Sequence, residues 1–288
     1  MPALIDLRRR IKSVRNTQQI TKAMKTVSTA KFKKNQRAVL ASRPWWHLYP
    51  EFMSRVAASL DPQAHPLLEA REERSLLGVV LTSDKGLCGA FNSNLLSAAE
   101  KFFQAKAREG VDVRLILLGK KAAAHFKRSN LRVEKAVSGP VDKMPLSSLK
   151  EIALGLMRRY AFYRTDAVYI AYNEFKSILA PRVTIGRLLP VRPRPEDEAP
   201  GRPRPSFEPG AALLLQSLLP LFVIHQVYHC YFESQAAEEA ARMMAMDNAT
   251  KNAEDLIGRL VLHLNKVRQA SITKELLEIM TAVEALSK

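Results

Sequence analysis

Acid is missing from one long stretch of the chain. RRRIKSVRNTQQITKAMKTVSTAKFKK, residues 8–34, holds ten Lys or Arg and no Asp or Glu. A helix built from it repels itself along its length and must find its counter-charge elsewhere. Cysteine is scarce too. Cys88 and Cys230 have no metal-ligand spacing and make no disulfide framework, which fits a reducing compartment. Glycine and proline are absent between Ala3 and Arg43. Between Leu221 and Leu286 the only one of either is Gly258. These gaps remove the common helix breakers from both ends of the chain. The start MPALIDLRRR lacks the apolar run of about 7–15 residues that a secretory signal needs. It is also not a Ser-rich transit sequence, so a bacterial cytoplasm is the expected compartment.

What is present is 288 residues, 47% hydrophobic, with a formal net charge of +17. That is enough for one large core with an added element, or for two domains. Residues 1–60 carry 13 basic and 2 acidic side chains, whereas residues 233–288 carry 7 and 9. The basic excess points to nucleic acid, an anionic surface or an acidic protein partner.

The two ends read as long helices. Leu4, Leu7, Ile11 and Val14 follow steps of 3 and 4, a coiled-coil seam. Continuing that heptad would place Gln18 and Lys25 inside, so the apolar stripe is expected to slip and resume at Ile20, Met24 and Val27. Pro44 is expected to kink or end the helix after about 60 Å at 1.5 Å per residue. Phe52, Val56 and Leu60 then resume an apolar spacing. Near the other end, Met246, Ala249, Ala253, Leu256, Leu260, His263 and Val267 alternate steps of 3 and 4. Ile272, Leu276, Ile279, Val283 and Leu286 repeat the pattern. With Pro220 at its first turn, this helix would run about 100 Å.

Different material lies between. Short apolar runs at 76–84, 113–119, 131–137, 166–175 and 182–191 read as strands, and 93–109, 120–128 and 146–164 as helices. The alternation predicts a Rossmann-like α/β domain, its five-stranded sheet mostly parallel and its fifth strand antiparallel after a short turn. The expected division is a coiled-coil helix over 1–60, an α/β domain over 74–191, a proline-rich loop over 192–210 and a C-terminal helical segment over 211–288. PVRPRPEDEAPGRPRPSFEPG, residues 190–210, has seven prolines and reads as an extended connector. AALLLQSLLPLFVIHQVYHCYF, residues 211–232, has no Lys, Arg, Asp or Glu. Its polar interruptions favour a helix covering the sheet over a membrane span. Each terminal helix has an apolar stripe without a partner nearby. The economical solution is an antiparallel coiled coil of the two, projecting from the α/β domain.

Catalytic chemistry is hard to find. TSDKGLCGAFNSN, residues 82–94, joins a strand to a helix but lacks both G-x-G-x-x-G and G-K-[ST]. A tight turn is expected there, with nucleotide binding as the rival reading. Cys88 has no His near it in sequence to make it a nucleophile. His225 and His229 are spaced i, i+4 without a third ligand and read as core or half-buried histidines. Glu238, Glu239, Glu72 and Glu73 read as solvated charges, and Met243, Met244, Met246 and Met280 as packing residues. WWHLYP, residues 45–50, reads as packing. No cofactor or metal is expected. The basic helix is not interleaved with aromatics and carries no recognised nucleic-acid signature. It also leaves no broad apolar face for a membrane surface. An acidic protein sleeve is the reading left.

These residues resemble the γ subunit of the F-type ATP synthase, over essentially the whole chain. IKSVRNTQQITKAM and TSDKGLCGAFNSN carry part of the likeness. RMMAMDNATKNAEDLIGRLVLHLNKVRQASITKELLEI, residues 242–279, carries the most specific part. The resemblance implies a non-catalytic rotor shaft on the inner membrane, turned by the proton-driven c-ring inside the hexamer of α and β subunits. It implies the ε subunit as a further partner and no nucleic acid. It implies that Lys22, Met24 and Lys25 face acidic loops of the β subunits. Arg268, Gln269 and Thr273 would hydrogen-bond loops of the hexamer, with Ile279, Val283 and Leu286 in a hydrophobic sleeve. The proline-rich insertion looks longer and more basic than is usual in the family. The paired regulatory cysteines of the chloroplast form are absent.

Overall fold

The computed structural model describes residues 2–57, 65–137, 139–177, 181–192 and 210–286. Of these, residues 2–3, 43–57, 211 and 284–286 are described in backbone only. The elements in chain order are α1 (Pro2–Ala57), β1 (Ser75–Leu81), α2 (Phe91–Arg108), β2 (Asp112–Leu118), α3 (Lys120–Phe126), β3 (Arg132–Val137), α4 (Leu146–Ala161), β4 (Ala167–Glu174), β5 (Arg182–Leu189) and α5 (Ala211–Leu286). All five strands and the three short helices fall where the apolar runs predict them. The sheet order is β3-β2-β1-β4-β5. β1 pairs parallel with β2 and β4, β2 parallel with β3, and β4 antiparallel with β5.

Contacts divide the chain into two compact units. One is Met1–Ser28 with Met243–Lys288, and the other is Thr29–Arg242. The second unit holds the sheet. Strand residues alternate between its faces, as a pleated strand requires. Leu77, Val79, Leu81, Val168 and Ile170 pack with Leu149, Leu156 and Tyr160 of α4 and with Leu215, Leu219, Val223, Val227 and Tyr231 of α5. Leu76, Val80, Leu115, Leu117 and Ala171 pack with Leu95, Ala99 and Phe103 of α2 and with Ala122 and Phe126 of α3. Gly78 lets α2 approach the sheet, because a Cβ there would stand 2.4 Å from Phe103 Cζ. The segment from Ala212 to Val283 includes a stretch long and apolar enough to cross a membrane. Residues 211–232 are its apolar part, and their inward face covers the sheet, as expected.

Two expectations about the long helices are corrected. α1 continues through Pro44 to Ala57, so the proline does not end the helix. The proline deletes one backbone donor, and the ladder resumes beyond it. α5 begins at Ala211, so Pro220 lies inside it and not at its first turn. The side chains of WWHLYP, Phe52 and Val56 lie outside the described residues, as do Leu60 and 193–209 of the proline-rich loop.

In α1 the seam does not slip. Ile11, Thr21, Ser28, Phe32 and Val39 are buried, and Val14, Gln18, Lys25 and Asn35 between them are half-buried. This is one unbroken series of 3 and 4 steps. Ile20 and Val27, expected inside, are 60% and 58% exposed, and Met24 is half-buried. The heptad holds because its polar positions have partners. Thr21 Oγ1 and Thr250 Oγ1 are 2.8 Å apart. Lys25 Nζ donates to Asp247 Oδ1 at 2.6 Å. Each step forward along α1 is thus a step back along α5, the antiparallel arrangement expected.

α5 answers with its own seam. Met246 and Ala253 are buried, while Thr250, Ile257, Leu260, Leu264 and Val267 are half-buried. Leu256 and His263, expected in the seam, are exposed, and Ile257 and Leu264 take their places. Carried from the Thr21–Thr250 contact, the register sets Leu4 level with Val267. Past Ser271 no α1 residue is left to pair. Residues 272–283 are accordingly all exposed, Ile272, Leu276 and Met280 among them. Among the described residues they do not extend the coiled coil, and Met280 is exposed rather than packed.

Candidate partner interface

In an open parallel sheet, ligands bind beyond the C-terminal strand ends where the strand order reverses. Here that point lies between β1 and β4. It is filled by the chain itself. Phe32 of α1, Cys88, Phe91, Phe175 and Ala236, Ala237 and Ala240 of α5 form one buried cluster. Phe32 and Phe175 meet edge-on at 5.2 Å. Asn173 Nδ2 donates to the Phe91 carbonyl at 3.2 Å, and the Phe175 N–H donates to Glu233 at 2.8 Å. The alanines of α5 leave room for the Phe32 ring.

The turn after β1 is held from within. The Ser83 N–H donates to Asn92 Oδ1 at 3.1 Å, and Ser83 Oγ donates to the Lys85 carbonyl at 2.6 Å. Gly89 takes φ +58°, and Leu87 takes φ 62°. The tight-turn reading of residues 82–94 therefore holds. Cys88 is buried, and burial pushes its thiol pKa up, the wrong direction for a nucleophile. Burial pushes Cys230 up to about 12.

The acidic residues near the end of the second unit are not solvated, contrary to expectation. Glu238 and Glu239 are 5% and 2% exposed. Arg242 donates to Glu238 Oε1 at 2.5 Å and forms an ion pair with Glu239 Oε1 at 2.8 Å. Lys31 Nζ stands 3.2 Å from Asp142 Oδ2 and 3.7 Å from Glu239 Oε1. Burial raises the Glu238 pKa, with Arg242 opposing the shift. Sequence reading missed these residues because EEAAR has the composition of a solvated helix face. Only the fold brings α1 and the loop before α4 against it. Glu73 is also not free. It is bound by Arg187 and accepts from the Tyr169 hydroxyl at 2.9 Å, whereas Glu72 stays exposed beside Arg74. His229 is buried and lies 3.8 Å from Glu233, while His225 is exposed. Among the described residues no group of three or more His, Cys, Asp or Glu is placed to hold a metal.

The residues expected to meet partners lie on the first unit and separate into three places. Lys22 is exposed, Met24 is half-buried, and Lys25 is tied to Asp247. Lys25 and Lys251 together hold the Asp247 carboxyl below the usual carboxylate range, the Lys25 hydrogen bond contributing most. Arg268 and Gln269 are exposed some 20 residues further along α5 than Asp247, about 30 Å at 1.5 Å per residue. Thr273 is exposed and returns its hydroxyl to the Gln269 carbonyl at 3.0 Å. Ile279 and Val283 are 60% and 62% exposed, beyond the start of α1. The structure does not gather these residues into one site. Apart from Lys25 and Lys31, the eight basic residues between Arg8 and Lys34 are exposed and make no ion pair among the described residues.

Comparison with known proteins gives this arrangement a family. A model described as ATP synthase matches residues 3–286. The ATP synthase gamma chain of Pelotomaculum thermopropionicum is 43% identical over 287 residues, covering 99% of this chain and 100% of its own. The chain belongs to the ATP synthase gamma chain family. A gamma chain from Solibacter usitatus is 44% identical over 292 residues, covering 99% of each. Among solved structures, the Tetrahymena thermophila mitochondrial ATP synthase central stalk and c-ring structure holds a similar chain. Its TM-score is 0.58 and its identity 25%, covering 80% of this chain and 99% of that one. A chain of the Euglena gracilis mitochondrial ATP synthase, at 21% identity and TM-score 0.68, shares the fold over 99% of this chain and 95% of its own. As a family member the chain is a subunit of an enzyme complex and belongs to a membrane-associated assembly. The antiparallel terminal helices with a five-stranded α/β domain are the form of a central stalk.

Proposed function

We propose that this chain is the non-catalytic rotor shaft of a proton-translocating F-type ATP synthase, held at the cytoplasmic face of a bacterial inner membrane. Proton flow turns the membrane c-ring, the shaft turns with it, and its uneven profile drives the three catalytic sites of the α/β hexamer through different conformations. The ε subunit joins the shaft and the ring. The observation that carries this reading is the ridge of eight cations on α1 that make no ion pair among the described residues, together with the exposed apolar end of α5. The ridge needs acid that the described residues do not provide, and the end needs a sleeve.

In this reading Lys22, Met24 and Lys25 face acidic loops of the β subunits. Arg268, Gln269 and Thr273 hydrogen-bond loops of the hexamer, and Ile279 and Val283 turn inside a hydrophobic collar. Exposed ion pairs contribute only about 0–1 kcal/mol each, so such contacts break and re-form as the shaft turns. Each shaft angle must also bind the three site conformations differently, since a contact equal in all of them drives nothing. Arg268→Ala tests the assignment. ATP synthesis by the assembled complex should fall while the thermal melting of the isolated chain stays where it was. Unchanged synthesis would remove Arg268 from the contact set. Purification of the native membrane complex without α and β subunits on this chain would end the reading.

A further inference from the structure

The cluster around Arg242 contains an atom with nothing to bind. Glu239 Oε2 is buried without a hydrogen-bond partner, while its other oxygen is ion-paired with Arg242. Glu239 lines a cavity of about 20 Å³ together with Lys31, Asp84, Lys85, Asp142, Glu238 and Arg242. A water site needs at least about 10–15 Å³ and two to four polar partners. We propose that this cavity holds one water molecule, which donates a hydrogen bond to Glu239 Oε2.

Size and charge select water over other occupants. An anion would sit against four carboxylates. A metal cation would share the cavity with three cationic side chains, Lys31, Lys85 and Arg242. It would also find few free oxygens. Asp84 Oδ1 and Oδ2 already accept the Lys120 and Val141 N–H groups at 3.0 and 2.6 Å. Hard cations take six or more oxygen ligands, which this lining cannot supply. Water both donates and accepts, so a mixed lining suits it. The Lys31 ammonium has three N–H groups and two acidic neighbours, which leaves one N–H to give to the water oxygen. The second water hydrogen has further lining carboxylate oxygens to choose from.

The water ties together α1, α5 and the loop segments at Asp84 and Asp142 that follow β1 and β3. It converts a cluster with one orphaned acceptor into a satisfied network, and a satisfied network rigidifies where a partly satisfied one costs stability.

The test is a map of the full-length chain, crystalline or in its assembled complex, at a resolution where ordered waters are visible. The expected result is a peak at hydrogen-bonding distance from Glu239 Oε2 and from a second lining atom. An empty cavity, or Oε2 bonded directly to a protein donor, overturns the proposal. So does a peak that refines as a metal ion with oxygens at about 2.0–2.6 Å. In Glu239→Met the peak should vanish, and its persistence would overturn the assignment to Glu239. If that variant does not fold, the wild-type map still decides.

Discussion

Arg242 lies between two buried carboxylates, and its charge opposes the burial that raises the Glu238 pKa. Removing one partner of such a cluster leaves uncompensated buried charge. Arg242→Met should cost about 3–5 kcal/mol in denaturant unfolding. Glu238→Gln should cost clearly less, since one acid still meets the guanidinium. Asp247 behaves differently because solvent reaches it. Its carboxyl pKa is lowered mainly by Lys25. The stabilisation it contributes is complete above the ordinary Asp pKa and is lost as pH falls through the lowered folded value. The carbon-13 shift of its carboxyl should therefore titrate below the ordinary Asp range. Lys25→Met should move that midpoint upward, and no movement would break the assigned pair.

At the scale of elements, the two long helices are stable for different reasons along their length. Within Thr29–Arg242, α5 lies on the sheet and is fixed by Leu215, Leu219, Val223 and Tyr231. Between Met246 and Ser271 it is held by one partner helix. Beyond Ser271 it has none among the described residues, and an isolated helix of that length is marginal in water. Amide hydrogen exchange on the isolated chain should rank these three segments in that order, with residues 272–283 fastest. Equal protection at 250–260 and 275–283 would contradict the register. In the assembled complex the last segment should slow, as the proposed sleeve would supply the missing contacts.

For the whole molecule, the proposed work is rotation by the two helices together. Thr21 and Thr250 face each other across the seam with hydroxyls 2.8 Å apart. That is close enough for a Thr21→Cys, Thr250→Cys pair to be tried as a disulfide. A shaft that turns as one body should keep ATP synthesis when the pair is oxidised. Loss of synthesis on oxidation, regained on reduction, would mean that the helices slide or unwind past each other during turnover.

Strand and helix positions were legible from local chemistry alone. Apolar runs bounded by turn residues located all five strands, and the absence of glycine and proline announced the two long helices. The basic ridge was legible as well, because charge depends on composition and not on packing. The seam was not. Hydrophobicity selected Ile20 and Val27, yet the fold exposes them and buries Thr21 and Ser28. A polar residue holds a seam position most readily when it has a hydrogen-bonding partner, and Thr21 and Lys25 find theirs more than 200 residues away in sequence. The same holds for Glu238 and Glu239. Nothing local distinguishes a solvated EEAAR from one sealed under α1. Sequence by itself determined which segments become helix or strand, since that follows from periodicity and backbone preference. Tertiary structure alone decided which polar groups lie inside, since burying them is tolerable only where distant parts of the chain supply their partners.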